Sequence, residues 1–346
     1  MFPAPVPSRS VLKPELIDEV LARPDDDTPR LVLADWLTER GDPRGELIAV
    51  QCALARPLIR EKAQELAKQE LDLLRAHGPT WVAEHGLDPA RVTAARRHDA
   101  VERARGATLM FHRGFPDELK TTAADFAAAA ALVRTPLRRL VLTDSTTAEL
   151  ASLADHAGIP TLAALRLRDC ALPPAALAAF AGSPLVAPVP ELAFHRCDLD
   201  DLGALASASL PALRNLELDS CRAGHLDRLA AASWLPTLHA FRLIETYAPN
   251  QLRQLLTSRN WRALAVLHLR VRIPDGDVAV IASSQIAHKL VELEIPHYYV
   301  GPSTVEAFTR SAKLGRLQRL ILRGYGGAAD LGTLHKRWGP KLILQP

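Results

Sequence analysis

The sequence predicts an α/β fold: a repeating solenoid with a parallel sheet on its concave face and short helices on its convex face, preceded by a small all-helical domain. Three observations predict it. Apolar residues at a first position, three on and five on, recur from Leu137, Leu162, Val189, Leu213, Leu238, Leu264, Leu290 and Leu317, at steps of 25, 27, 24, 25, 26, 26 and 27 residues. Within each unit apolar and polar residues alternate: Leu216 and Leu218 would point inward, and Asn215, Glu217 and Asp219 outward, the period of a strand buried on one face. Each stretch is then followed by an apolar-periodic segment, such as residues 148–158, 174–182 and 225–234. One unit cannot bury its leucines alone, so neighbouring units must stack into a continuous core.

The N-terminal elements follow in order. Residues 1–10 are Pro-rich and expected to be a disordered start. Residues 11–86 have helical patterning and form the expected helical domain. Thr28-Pro29 supplies a cap and first-turn proline, and Gly41 a stop. A helix restarts after Asp42-Pro43 through Glu46, Leu47, Val50 and Leu54. A third runs through Leu66, Leu71 and Leu74 and is expected to end at Gly78-Pro79. Trp36 and Trp81 are the expected core anchors. Residues 87–106 are Arg-rich and read as a linker or connecting helix. The repeat domain then covers 107–346, beginning with an atypical first unit and closing with Trp338, Leu342 and Leu344 over the last core layer.

The period and the L-x-x-L-x-L pattern resemble leucine-rich repeats. A second resemblance is more specific. Arg30, Leu31, Ala34, Asp35, Trp36, Leu37, Glu39, Arg40, Gly41, Asp42, Pro43, Arg44, Gly45, Glu46, Ile48 and Gln51 follow the hallmark string of the repeat-companion domain of bacterial leucine-rich-repeat proteins. Leu33 stands where that family often has an aromatic residue. Arg113-Gly114-Phe115 resembles the R-G-F start seen in such proteins. The resemblance implies a helical domain placed before leucine-rich repeats, and no enzymatic role.

Composition narrows the function. The net charge is +3 over 346 residues, close to balance, and aromatic residues are only 5%. Stacking platforms for single-stranded nucleic acid are therefore scarce. There is no charged-then-apolar leader and no long uncharged apolar stretch, so no membrane association is expected. Four cysteines are too few and too regularly placed for a disulfide framework, and a cytoplasmic location fits them.

Cys170, Cys197 and Cys221 share one repeat position and should form a row about 4.8 Å apart. A metal site would need three or four convergent ligands. The simpler reading is the small interior residue at the turn of each repeat, and no metal or cofactor is expected. Cys52 reads as a packing residue. The histidines lack H-E-x-x-H spacing. Gly324-Tyr325-Gly326-Gly327 lacks the spacing and Lys-Ser/Thr end of a phosphate loop and reads as a turn. Asp25-Asp26-Asp27 reads as solvating or capping a helix start.

The outward strand positions carry the functional expectation. Their charges come in bands: Arg166 and Arg168; Glu217 and Asp219; Arg242 and Arg270; Glu292 and Glu294; Arg319 and Arg323, with His195 and His268 among them. A face of mixed sign suits a protein partner of complementary charge and not a phosphate polyanion, which favours an unbroken positive track. The alternative for the bands is that neighbouring strands pair their charges with one another. The expected function is a non-catalytic interaction scaffold that binds a protein on the concave face. Two competitors stand beside it. One is nucleic-acid binding through the Arg-rich segment 91–105 (Arg91, Arg96, Arg97, Arg103 and Arg105), disfavoured by its mixed charge. The other is an enzyme site at the domain junction, which would need convergent titratable groups such as a His-carboxylate or Cys-His pair.

Overall fold

The computed structural model describes residues 13–96, 106–129, 132, 135–246, 252–324 and 331–345. The fold is α/β with a mostly parallel sheet. It divides into two compact units, Met1–Leu140 with Ile159–Leu162, and Val141–Gly158 with Ala163–Pro346. The start at 1–10 and Arg97, Arg103, Arg105 and Tyr325–Gly327 lie outside the described residues. Among those described, no helix is long and apolar enough to cross a membrane.

The first unit opens with four helices: α1 (Pro14–Ala22), α2 (Asp27–Thr38), α3 (Arg44–Leu54) and α4 (Arg60–Glu84). The cap of α2 is Asp26, whose carboxylate accepts the Thr28 N–H at 2.9 Å, two residues before the expected Thr28. The rest of the acidic run is ion-paired, Asp25 with Arg138 and Asp27 with Arg56 and Arg113. Gly41 ends the helix segment with φ +71°, a conformation costly for other residues. A Cβ at Gly45 would overlap Thr38 and the Ala34 carbonyl, so α3 can cross α2 closely only with glycine there. Val20, Leu33, Ala34, Leu37, Ile48 and Cys52 form the core, joined by Phe115. Leu37 is 1% exposed, and truncating such a side chain to alanine costs about 2–5 kcal/mol. Trp81 is fully in the core at 3% exposure. Trp36 lies at its margin with the Arg40 guanidinium 4.0 Å above its ring.

Two expectations are corrected here. The helix α4 does not end at Gly78-Pro79 but runs 25 residues to Glu84. Burial of Trp81 and Val82 on its last turns outweighs the one backbone hydrogen bond that Pro79 removes. The expected linker at 87–106 contains a strand, β1 (Val92–Arg96), paired parallel to β2 (Ala107–His112). Val92 is buried, and the small Ala94 fits against Gly78, where a Cβ would come within 2.5 Å of the Ala94 Cβ. β2 turns back into β3 (Phe115–Thr121), antiparallel, with a bulge at Met110/Phe111. The two turn residues Arg113 and Gly114 have φ +51° and +82°, the left-handed pair a tight hairpin needs. The short helix α5 (Ala123–Ala128) follows, capped by Thr122. Over the expected helical domain, 11–86, the described elements are the four helices alone, and the compact unit that contains them continues through β1, β2, β3 and α5 and is mixed.

The second unit repeats strand and helix. After β4 (Arg139–Thr143), which straddles the unit boundary, come α6 (Thr147–Ser152), β5 (Ala164–Arg168), β6 (Ala171–Leu172), α7 (Pro174–Ala181), β7 (Glu191–His195), β8 (Asp198–Leu199), α8 (Gly203–Ser207), β9 (Asn215–Asp219), β10 (Arg222–Ala223), β11 (Ala240–Ile244), α9 (Leu252–Thr257), β12 (Val266–Arg270), α10 (Asp275–Ile281), β13 (Glu292–Pro296), α11 (Pro302–Arg310), β14 (Arg319–Arg323), α12 (Leu331–Trp338) and β15 (Leu342–Gln345). In the main sheet β5, β7, β9, β11, β12, β13, β14 and β15 lie side by side in that order, every pair parallel. The two-residue strands β6, β8 and β10 form a second small sheet. Residues 225–234 contribute a 3-10 turn, Leu226–Ala231, in place of an α-helix. Leu165, Leu167, Leu216, Leu218, Leu267 and Leu269 are all 0% exposed, each burial stabilising by about 1.5–3 kcal/mol before entropy is counted.

Register repeats at the strand ends. Asp144, Asp169, Arg196, Ser220, Glu245 and Gly324, each directly after a strand, all have positive φ, between +44° and +94°. Their N–H groups donate to the last residue of the next strand: Arg168, His195, Asp219, Ile244, Arg270 and Gln345. The following residue then turns inward and donates to a backbone carbonyl. Cys197 reaches Leu167 at 3.5 Å, Cys221 reaches Phe194 at 3.3 Å and Thr246 reaches Leu218 at 3.0 Å. Cys170 donates to Arg168 at 3.2 Å. The cysteine row is thus a hydrogen-bonded ladder in which threonine substitutes for cysteine. At the far end Trp338 and Leu342 are buried as the capping expectation requires, but Leu344 is 54% exposed and covers nothing.

Candidate functional site

The candidate surface is the open face of the main sheet in the second unit, formed by the strand residues that alternate with the buried leucines. On β5, β9 and β12 the first, third and fifth residues are half-exposed and the two between are buried. The third-position row from β5 to β14 reads Arg166, Ala193, Glu217, Arg242, His268, Glu294 and Ile321, all in register.

The charged residues on this face fall into two groups. The first comprises Arg166, Arg168, His195, Glu217, Asp219 and Arg242 on β5 to β11. His195 Nε2 stands 3.5 Å from Asp219 Oδ2, and Asp219 also accepts the Ser220 hydroxyl at 2.9 Å. Burial lowers the His195 pKa, and nearby Arg168 and Arg196 oppose its protonation further, against the pull of Asp219. His195 Nδ1 and Arg168 Nε are buried atoms without hydrogen-bond partners. Glu217 and Arg242 are register partners on adjacent strands, and among the described residues neither has an ion pair.

The second group is a closed network on β12 to β14. Glu292 and Glu294 are 7% and 2% exposed although they occupy outward positions. His268 meets both: Nε2 lies 2.6 Å from Glu292 Oε1, and Nδ1 lies 3.6 Å from Glu294 Oε2. Arg319 pairs with Glu292. Arg270 donates from Nε and Nη2 to the two oxygens of Glu294. Arg323 donates from Nε to Glu294 at 2.6 Å and from Nη2 to Gln345 at 2.5 Å. Burial would raise the Glu294 pKa, but the hydrogen bonds from Arg270 and Arg323 outweigh it and hold the carboxyl below its ordinary range. Each carboxylate bridges strands on either side of β13. This is the mutual pairing that the sequence reading set against partner binding, realised on these three strands.

The His-carboxylate contact has a chemical consequence. His268 Nε2 is hydrogen-bonded with Glu292 and Nδ1 lies 3.6 Å from Glu294, and the pair lies on a sheet face. General-base work needs a nitrogen within hydrogen-bond reach of the substrate proton. Among the described residues no group of three or more His, Cys, Asp or Glu side chains could hold a metal ion. All four cysteines are buried and free. Burial pushes the Cys52 thiol up to about 12. The Cys170 thiol is raised by its hydrogen bond with Cys197 and by burial. Raised, buried thiols such as Cys52 and Cys170 pack rather than attack, while the hydrogen bond with Cys197 lowers the Cys221 thiol inside the same buried row. Of the Arg-rich arm, Arg91 pairs with Asp125 at 2.8 Å and Arg96 reaches the Ala67 carbonyl at 3.5 Å, so both are tied to the first unit's own surface.

In the first unit, the motif residues converge on the hairpin turn at Arg113-Gly114. Gln51 is 3% exposed and makes three bonds. Its Nε2 donates to Glu70 at 2.7 Å and to the Phe111 carbonyl at 3.1 Å, and its Oε1 accepts the Gly114 N–H at 2.6 Å. Arg30, 4% exposed, donates to the Arg113 and Pro24 carbonyls and lies 5.0 Å over the Phe115 ring. A Cβ on Gly114 would overlap Ile48. Helices α2 and α3 thus grip the β2–β3 turn through backbone groups, which demands a glycine, a glutamine and an arginine at fixed places.

Sequence reasoning missed one exposed feature. After β13 the chain enters a 3-10 turn, His297–Tyr299, which leaves Tyr298 60% exposed. The available signal was a tyrosine pair directly behind a strand-ending proline in an aromatic-poor chain.

No protein-family model matches this chain, and no curated protein matches it.

Proposed function

We propose that the chain is a non-catalytic interaction scaffold, a leucine-rich-repeat solenoid behind a repeat-companion domain, that binds a protein partner on the open, concave face of its sheet. The observation that supports this reading is the set of charged side chains on β5 to β11, where Glu217 and Arg242 stand in register at the third strand position and Arg168 at the fifth position of β5, without ion pairs among the described residues. Charges left without partners on a pre-ordered sheet meet a complementary surface at low entropy cost. The hydrogen bond of His268 Nε2 with Glu292, the nearness of Nδ1 to Glu294 and the burial of the thiols support a role without catalysis. Four reduced cysteines fit a cytoplasmic location.

The test is affinity capture from native lysate with the full chain and with the triple charge reversal Arg168→Glu/Glu217→Lys/Arg242→Glu, identified by mass spectrometry. A defined protein held by the parent chain and lost from the variant, with unchanged thermal unfolding, is the expected result. Identical captured proteins would remove the open face from the account. Recovery of nucleic acid alone, released at raised salt, would transfer the function to segment 91–105.

A further inference from the structure

We propose that β15 is an interface between two copies of this chain, which pair their β15 strands antiparallel about a two-fold axis and continue one sheet across the pair. The inference is independent of the open-face reading. Its first ground is the backbone. β15 is the last strand of the main sheet and pairs only with β14. Gly324 donates its N–H to the Gln345 carbonyl at 2.8 Å, so the backbone groups of Gln345 and, two residues back, of Ile343 are turned toward β14. Successive residues of a strand direct these groups to opposite sides, and those of Leu342 and Leu344 point away from β14. The Leu342 N–H donates to the Gly339 carbonyl. The Leu342 carbonyl and both backbone groups of Leu344 have no hydrogen bond among the described residues. An edge with open groups is a template for another strand, and natural edges are blunted by a charge, a proline or a bulge. Leu342-Ile343-Leu344-Gln345 carries none of these and pairs with β14 without a register shift.

The second ground is the side chains. Leu342 and Leu344 stand in register with Leu320 and Leu322 of β14, which are 0% and 1% exposed. Leu342 is buried too, but Leu344 is 54% exposed. The residues at its position on β5, β7, β9, β11, β12, β13 and β14 are all buried, each with a strand on either side. Leu344 therefore holds a core position that lacks only a strand on its outer side. The edge is also self-complementary, which selects a second copy as the occupant. With Ile343 opposite Ile343 of the second copy, Leu342 of each copy faces Leu344 of the other. Each Leu344 N–H then donates to the Leu342 carbonyl across the axis, and each Leu344 side chain is covered by a leucine. The half-buried Ile343 side chains meet on the axis at the open side of the sheet. Setting Leu344 opposite itself would place the Leu342 carbonyl against Pro346, which has no N–H. The same patch serves both copies, as a two-fold interface requires.

The test is sedimentation velocity of the full chain from micromolar to submillimolar concentration, where a monomer–dimer equilibrium is expected. Leu344→Lys should leave only monomer over the same range. Its thermal unfolding in dilute solution should match the parent chain, because that side chain is already mostly in water. A cross-link reads the register. Ile343→Cys should form a disulfide-linked dimer on mild oxidation, since directly opposed residues of this kind have Cα atoms about 4.5 Å apart, within reach of a disulfide. Gln345→Cys, two residues off the axis in each copy, should stay unlinked. The native cysteines are all buried and do not compete. Monomer at every concentration, a dimer that survives Leu344→Lys, no link through Ile343→Cys, or a link through Gln345→Cys formed as fast would each overturn the proposal.

Discussion

The open face has two halves built on the same pattern, and they behave differently. On β5 to β11 the outward charges remain half-exposed, and among the described residues Arg168, Glu217 and Arg242 have no ion pair. On β12 to β14 the carboxylates sink to 2% and 7% exposure under Arg270, Arg319, Arg323 and His268. Alternation alone therefore does not decide whether an outward charge is available. Register alone does not decide it either: Glu217 stands opposite Arg242 with no ion pair between them, whereas Glu294 is held by an arginine from each neighbouring strand. The carboxylates of the second half tie β12, β13 and β14 together, while in the first half His195 meets Asp219 and Glu217 and Arg242 stay unpaired among the described residues.

The largest effect should come from breaking the committed half. Glu294→Ala leaves two guanidiniums facing each other without their shared carboxylate. Removing one partner of a buried pair costs about 3–5 kcal/mol, read as a fall in denaturant midpoint. A loss below about 1 kcal/mol, the range of exposed pairs, would mean that the network is solvated. Acid should act on the same residue. The folded pKa of Glu294 lies below its unfolded value of 4.5. Its stabilisation is therefore present above that value and is lost as the pH falls through the lowered folded pKa. The stability gap between the parent chain and Glu294→Ala should narrow over that acidic range, and a gap constant with pH would contradict it.

A smaller effect sharpens the comparison from beneath the free half. Cys197→Ala removes a weak sulfur hydrogen bond and leaves a small cavity. The expected cost is about 1–2 kcal/mol, while Cys197→Thr, the residue type that stands at the same place as Thr246, should recover much of it. The smallest effect belongs to the free charges. Arg168→Glu and Glu217→Lys should each shift stability by no more than about 0.5 kcal/mol, measured by the same denaturant titration, while their effect on partner capture is large.

What was legible in the sequence follows from the range of each interaction. Strands β4, β5, β7, β9, β11, β12, β13 and β14 could be placed from L-x-x-L-x-L alone, because alternation is local, and the outward residues follow from it; the two-residue strands β6, β8 and β10 could not. The ion pairs were not legible. His268 and Glu292 are 24 residues apart, and Arg323 and Glu294 are 29 apart, so their meeting depends on register and rotamer. β1 was hidden for a similar reason, since its Val-Thr-Ala-Ala-Arg run becomes a strand only beside β2. Gly78-Pro79 misled because tertiary burial of Trp81 overrides a local stop signal. The left-handed turns carry Asp, Arg, Ser or Glu in five of six cases, so no glycine advertised them. Gln51 and Arg30 were visible as motif letters, but their shared target, the Arg113-Gly114 turn, lies more than 60 residues on.

The division of the open face can be measured without any partner. Carbodiimide-driven labelling of the full chain with an amine, followed by peptide mass spectrometry, compares the accessibility of individual carboxylates. Glu217 should label readily, while Glu292 and Glu294 stay unmodified until the chain is denatured. Labelling of Glu294 at the rate of Glu217 in the folded chain would contradict the account, because the second half of the face would then be as uncommitted as the first.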